Sequence, residues 1–312
     1  MSNDRSVKPS SRRQGQLLRQ TFGIQALFKA FFCLTVFSSG IISVAFFFDP
    51  SARAASLPLP DRTDFGPTTL TLGGAAAALT TAHDAFMTNP ATLVFFQGFD
   101  SIGSSWQILP KDESHWSVSV ADGTRGVTGG FQFQWADVQE ARRLNLAVGA
   151  AYKTPWGSVG VTGHTLRIRG VDVDRGWHFT DSIGIFIPLF GGLTLGAYSK
   201  SPFDFNDHRR FPTSLHMGAG YSYPGSFRVA FESDRRFRLN HQSWNYSVGG
   251  DILPIDYIAL RGGYHWDRTE QFSYWAAGLI LVAPRIEVAG SFLRKVNGET
   301  GNGFSADFFL KF

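Results

Sequence analysis

His265 and Asp267 stand two residues apart, and Asn240 precedes His241. On a strand, residues i and i+2 share a face, so an imidazole beside a carboxylate there is the acid–base half of a hydrolase. The other half is a nucleophile with oxyanion donors held in register, and no motif in the chain supplies it. The eight His are scattered, with no pair at helical ligand spacing, and no glycine-rich loop follows a strand to open a helix. Cys33 is the single cysteine. The expectation is therefore no enzyme and no cofactor. What remains are charges of both signs on one strand face, with Arg228, Glu232, Arg261, His265, Arg285 and Glu287 the expected lining of an interior. Two chemistries are open to them: an internal lattice of ion pairs, or selection of a solute that passes.

The elements that would hold these residues are read from alternation. "SLHMGAGYSY" sets Leu215, Met217, Ala219, Tyr221 and Tyr223 against Ser214, His216 and small residues. "FRVAFESD" sets Phe227, Val229 and Phe231 against Arg228, Glu232 and Asp234. Period two is the strand signature. About fourteen such segments run from 97–109 to 303–312, each near the length a tilted strand needs to cross a bilayer. The fifth and twelfth alternate poorly, which predicts bulges. Their connections take turns. One kind is short and rich in Pro and Gly, as in "TPWG" and "PGS". The other is longer and polar, as in "DVQEARR" and "FDFNDHRRFPT". Tight turns on one rim and larger loops on the other describe a transmembrane antiparallel β-barrel, with lipid on its apolar face and Trp side chains near strand ends. No helices are left over to cover a greasy sheet in water. The last strand, "GFSADFFLKF", places Phe304, Ala306, Phe308, Leu310 and Phe312 on one face, and only Phe309 breaks the pattern. Phe308, Leu310 and Phe312 resemble the C-terminal signal read by the outer-membrane assembly machinery.

The chain has 312 residues, 30 Phe, 34 Gly and a sequence pI near 9.3. The pI suggests nucleic acid, but the distribution of charge argues against it. Arg5, Lys8, Arg12, Arg13, Arg19, Lys29 and Arg53 all fall within residues 1–54, and the remainder is near neutral. Residues 1–54 read as an export signal: a basic start, the apolar stretch Ala30–Phe48, then Ala52-Arg53-Ala54 as the cleavage site. An uncleaved anchor helix is the alternative.

Residues 55–96 do not alternate. Gly74, Ala75, Ala78, the run Ala82-His83-Asp84-Ala85 and Asn89-Pro90-Ala91-x-Leu93 resemble the amino-terminal motif of FadL-like outer-membrane transport proteins and of their PorV-like relatives. His83 and Thr92 depart from it, standing where the family often has an acidic residue and a Gly. The resemblance implies that residues 55–96 fold into the barrel as a plug and that strands fill 97–312. It implies passive transport of small molecules, hydrophobic ones among them, across the outer membrane of a Gram-negative-type bacterium. The alternative it leaves open is a barrel that serves as an assembly or secretion partner. The expected gate is Asp84, Phe86, Met87, Asn89, Pro90 and Ala91, with Asp84 and Asn89 hydrogen-bonded to the wall. Expected partners are outer-membrane lipid, the assembly machinery and a small solute; nucleic acid is not among them.

Overall fold

The computed structural model describes residues 66–79, 82–109, 113–138, 141–170, 177–203, 213–237, 243–269, 271–297 and 301–312. The leader with Cys33 and the Ala54 cleavage site, residues 55–65, and the Asn240–His241 pair lie outside the described residues.

Fourteen antiparallel strands close into one barrel, each paired with its sequence neighbours and the first with the last. They are β1 (Asp100–Leu109), β2 (Glu113–Arg125), β3 (Val127–Val138), β4 (Ala141–Thr154), β5 (Gly157–Gly170), β6 (Trp177–Pro188), β7 (Leu193–Lys200), β8 (Ser214–Tyr223), β9 (Phe227–Arg236), β10 (Trp244–Ile255), β11 (Ile258–Asp267), β12 (Phe272–Val282), β13 (Ile286–Asn297) and β14 (Asn302–Lys311). Closure satisfies both edges of the sheet, the condition a spanning structure must meet where no water reaches the backbone. Among the described residues no helix is long and apolar enough to cross a membrane; the strands do so. The outward face is apolar: Trp106, Trp116, Val148, Val161, Phe231, Leu279 and Phe308 are all exposed.

Alternation holds almost everywhere, and its exceptions have causes. β5 is regular, pairing with β4 without a break from Thr154↔Gly157 to Ala141↔Gly170. Its pattern blurs because the upper half inverts: Leu166 and Ile168 point inward and are buried, while Arg167 and Arg169 take the outward positions. β12 does carry an irregularity, between Ser273 and Tyr274. Two further register shifts occur at Asp122/Arg125 and Ile252/Ile255, near the tight-turn rim. The polar stretch "DVQEARR" is mostly strand, because β3 runs to Val138 and β4 starts at Ala141. Polar outward side chains are no obstacle to a ladder that continues past the lipid.

Residues 66–79 and 82–94 lie inside the ring, and Phe96 is buried with them. Pro67–Thr71 forms a short helix, α1, and Ala82–Phe86 and Pro90–Phe96 are 3₁₀ helices. α1 is wholly buried, with Pro67 in its first turn, where a missing N–H costs nothing.

Candidate functional site

The luminal segment is shaped by a few residues. Gly73 and Gly74 take positive φ, +66° and +91°, and reverse the chain after α1. Asn89 is fully buried and caps the second 3₁₀ helix through Ala91 N at 3.1 Å. Its amide also donates to Ala77 O at 2.7 Å and to Ile185 O on β6 at 3.0 Å. One side chain thus ties the alanine run, the helix and the wall together.

Glycines set how close the segment lies. A Cβ at Gly196 on β7 would stand 1.7 Å from Ala77 O, and one at Gly249 on β10 would stand 2.1 Å from Leu72 O. At Gly160 the obstacle is Pro90 C at 2.4 Å, and at Gly184 it is Asn89 Oδ1 at 2.0 Å. Only a wall without side chains at these points admits backbone against backbone.

Glu232 on β9 is the main polar anchor. It is 2% exposed. Its Oε2 accepts the backbone N–H groups of Ala76 and Ala77, at 2.8 and 2.6 Å. Its Oε1 lies 2.9 Å from His216 Nδ1, and His216 Nε2 lies 3.1 Å from Ser214 Oγ. Tyr198 stacks on the His216 ring at 4.2 Å. Serine, histidine and glutamate are therefore in the order of a hydrolytic triad. Ser214 is fully buried, however, and Glu232 is committed to the segment.

Apolar residues do the rest. Phe86 and Met87 are buried in a cluster with Leu93 and Phe96, and with Ala121, Ala147, Ala151 and Phe309 of the wall. Phe309 is the residue that broke alternation in the last strand. It faces inward because the lumen there holds rings, not water. His83 packs beside it, edge-on to Phe309 at 4.7 Å and tilted against Phe96 at 5.1 Å. Burial holds its imidazole down to about 3, so it stays neutral in this apolar contact.

Asp84 does not reach the wall as expected. Its Oδ2 accepts Thr69 N at 2.7 Å and so folds the segment onto itself. The near wall is Asp307 on β14, which accepts from Thr68 Oγ1 at 3.3 Å. Burial raises the Asp84 carboxyl to about 6, against the opposing pull of Thr69 N–H and Arg261. The folded segment therefore binds this proton more tightly than an unfolded one does. Its seating is strongest below the ordinary value of 3.8 and weakens as pH rises to about 6. Asp84→Asn keeps the acceptor for Thr69 without the charge. Its thermal midpoint in detergent should exceed wild type at neutral pH and lose that difference in acid; equal midpoints at all pH values would refute this.

The expected lining residues separate into groups. Arg228 and Arg261 both reach Asp251, Arg228 through Nε at 2.9 Å and Arg261 through Nη2 at 3.3 Å. With Glu287 they border a cavity of about 290 Å³ at the tight-turn rim, whose other walls include Tyr223, Leu253, Ile280 and Val282. Glu232 sits under the segment. His265 lies further toward the loop rim, its Nδ1 2.8 Å from Ser247 Oγ and its ring stacked on Tyr274. Arg285 is exposed in the turn between β12 and β13, off any path. Ala91 O accepts Ser158 Oγ on β5. Phe308 and Phe312 are exposed outward, and Phe312 N donates to Asp100 O at 2.9 Å across the closing seam. Asp251, His216 and the wall glycines were not singled out by sequence. A Gly on the inward beat of a strand was the available signal.

The described residues thus form a closed fourteen-stranded barrel with a folded segment packed against its inner wall. No family model matches the sequence, and no curated protein matches it significantly. Solved structures do share the fold. The CymD monoaromatic hydrocarbon channel superposes with a TM-score of 0.66 at 15% identity, over 80% of this chain and 97% of its own. The Pseudomonas putida toluene transporter TodX gives 0.61 at 13%, over 83% and 99%. The Ralstonia pickettii toluene transporter TbuX gives 0.59 at 13%, over 79% and 97%. The fold that the N-terminal motif suggested is thus the fold of these hydrocarbon channels.

Proposed function

We propose that this chain is an outer-membrane channel of a Gram-negative-type bacterium, carrying small molecules passively, hydrophobic ones among them. The signal in residues 1–54 would export it. The outward Phe308, Leu310 and Phe312 would present it to the assembly machinery, and lipid would cover the barrel. The observation that carries the reading is the luminal segment. It fills the ring, yet its polar hold on the wall rests on a few side chains, chiefly Glu232, Asn89 and Ser158. The cavity at the tight-turn rim, about 290 Å³, has a size that suits a small solute. In this reading residues 66–96 are a plug. Asp84, Phe86, Met87 and the Asn89-Pro90-Ala91 turn are the parts that must move, and Arg228, Arg261 and Glu287 line the exit. The likeness to channels named for toluene and monoaromatic hydrocarbons supports a small apolar solute. A hydrolase is the poorer reading, because the buried Ser214 hydroxyl offers no access to a substrate.

Deletion of residues 66–90 tests the plug. Conductance across a planar bilayer and uptake of toluene into proteoliposomes should both rise while the barrel still migrates faster unboiled than boiled. A folded deletion variant with unchanged conductance and uptake would end this reading.

A further inference from the structure

The luminal segment does not meet the whole wall alike. Between β5 and β11 its backbone lies on wall glycines, at Gly160, Gly196, Gly249 and Gly263. Inward residues of that wall, such as Ser182, Tyr198, Ala230 and Glu232, are buried. On β13, β14 and β1 the inward positions carry Glu287, Ser291, Ser305, Asp307 and Ser105, and all five are only half-buried. Inside a filled ring, a half-buried inward side chain borders open space.

That space is a row of cavities. The 290 Å³ cavity at the tight-turn rim shares Arg261 and Ile280 with a second of about 10 Å³, bordered by Thr71, Ser291, Ser305 and Asp307. The second shares Asp307 with a third of about 30 Å³, bordered by Thr68, His83, Asp84, Ser105, Ser117 and Gln132. Glu287 borders both the first and the third. The lining is a chain of hydrogen-bonding groups. The Ser291 and Ser305 hydroxyls bond each other. Thr68 Oγ1 donates to Asp307 at 3.3 Å, the Ser105 and Ser117 hydroxyls pair at 2.6 Å, and Gln132 Nε2 donates to Ser117 Oγ at 3.4 Å. Yet both ring nitrogens of His83 and the Oε1 of Gln132 find no hydrogen-bond partner among the described residues. Both side chains are more than nine-tenths buried and border the third cavity. Buried polar atoms take water where protein supplies no partner. One water needs roughly 10–15 Å³, so the second cavity sits at the size of a single water and the third holds a short file. Toward the loop rim the same strands continue inward with Gln107 on β1, His115 on β2 and Gln134 on β3, all buried and polar.

We propose that this gap between the segment and the wall, from β11 through β14 to β3, is a single-file route for water that stays open while the segment is seated. The proposal rests on the plugged-barrel reading above and adds a second permeant with its own path. Hydroxyl, amide and carboxylate groups along the gap replace the hydrogen bonds that a water gives up at each step. An ion cannot keep its hydration shell in a file one molecule wide. An apolar solute would leave those groups unsatisfied. The gap therefore carries water and leaves the apolar solute to the path that the segment closes.

The test uses the full chain, exported, purified and reconstituted into vesicles, with water as the probe, driven out by a sucrose gradient and followed by stopped-flow light scattering. Wild-type vesicles should shrink several-fold faster than protein-free ones. Ser117→Val with Ser305→Val should return shrinkage to the protein-free rate, because valine suits a strand and puts methyl groups into the gap. The same variant should take up toluene as wild type does. Wild-type vesicles that take up toluene yet shrink no faster than protein-free ones sink the water route alone. A valine variant that shrinks as wild type does, with heat-modifiable migration intact, also overturns it. A chain that passes water, loses it with the valines and takes up no toluene upholds the water route and sinks the apolar-solute reading. If the double variant does not fold, Gln132→Leu alone decides by the same comparison.

Discussion

Glu232→Ala unseats the luminal segment. The carboxylate accepts two adjacent backbone N–H groups, from Ala76 and Ala77, and pairs with His216, all in a fully buried setting. Truncation leaves those donors facing a void. Each buried group without a partner costs about 1–3 kcal/mol, and the loss falls on the segment that Glu232 holds to the wall. The strands themselves are untouched, since β9 keeps its ladders to β8 and β10. We expect a folded, heat-modifiable barrel with raised single-channel conductance and with residues 66–96 open to added protease. Glu232→Gln keeps the shape and one acceptor oxygen, so it should fall between the two. A Glu232→Ala barrel that conducts as wild type does and still protects the segment would refute the anchor.

Gly196→Val should have a comparable effect by a different route. The new Cβ would need to stand 1.7 Å from Ala77 O, and backbone on both sides leaves nothing flexible to yield. Overpacking where side chains can adjust costs about 1–3 kcal/mol; here the segment must withdraw. Valine favours strands, so β7 should still pair with β6 and β8. Gly290→Val on β13 is the matched control, because a Cβ there meets nothing within 4 Å. The first variant should conduct more and the second should not. Equal conductance in both would show that the segment is not seated on Gly196.

These two residues also mark where the sequence could and could not be read. Strand positions followed from alternation because lipid imposes one rule on the whole outer surface, and Val229 and Phe231 obey it beside Arg228 and Glu232. The lumen imposes no single rule, since its content varies with height. Glu232 was visible as an inward charge, but its partners Ala76 and Ala77 lie more than 150 residues earlier in the chain, beyond any local pattern. Phe309 looked like an error in the last strand and is a lumen contact to the segment. Gly196 looked like an ordinary strand glycine. Asp84 was expected to bond the wall, but its hydrogen bond goes to Thr69. Arg285 was counted inward by parity alone, although its strand begins one residue later.

The seam between β1 and β14 joins residues about 200 positions apart, from Ser101↔Lys311 to Ile108↔Phe304, the costliest loop to close in the molecule. Every other pairing is between neighbours and can zip as the chain is delivered. Biogenesis therefore has a natural last step, and until it happens the curved ribbon is open along one side. The segment leads straight into β1, so an open ribbon gives it a trough to settle into before the ring shuts. A slow-zipping seam would act as a checkpoint that lets the interior assemble before the ring is sealed.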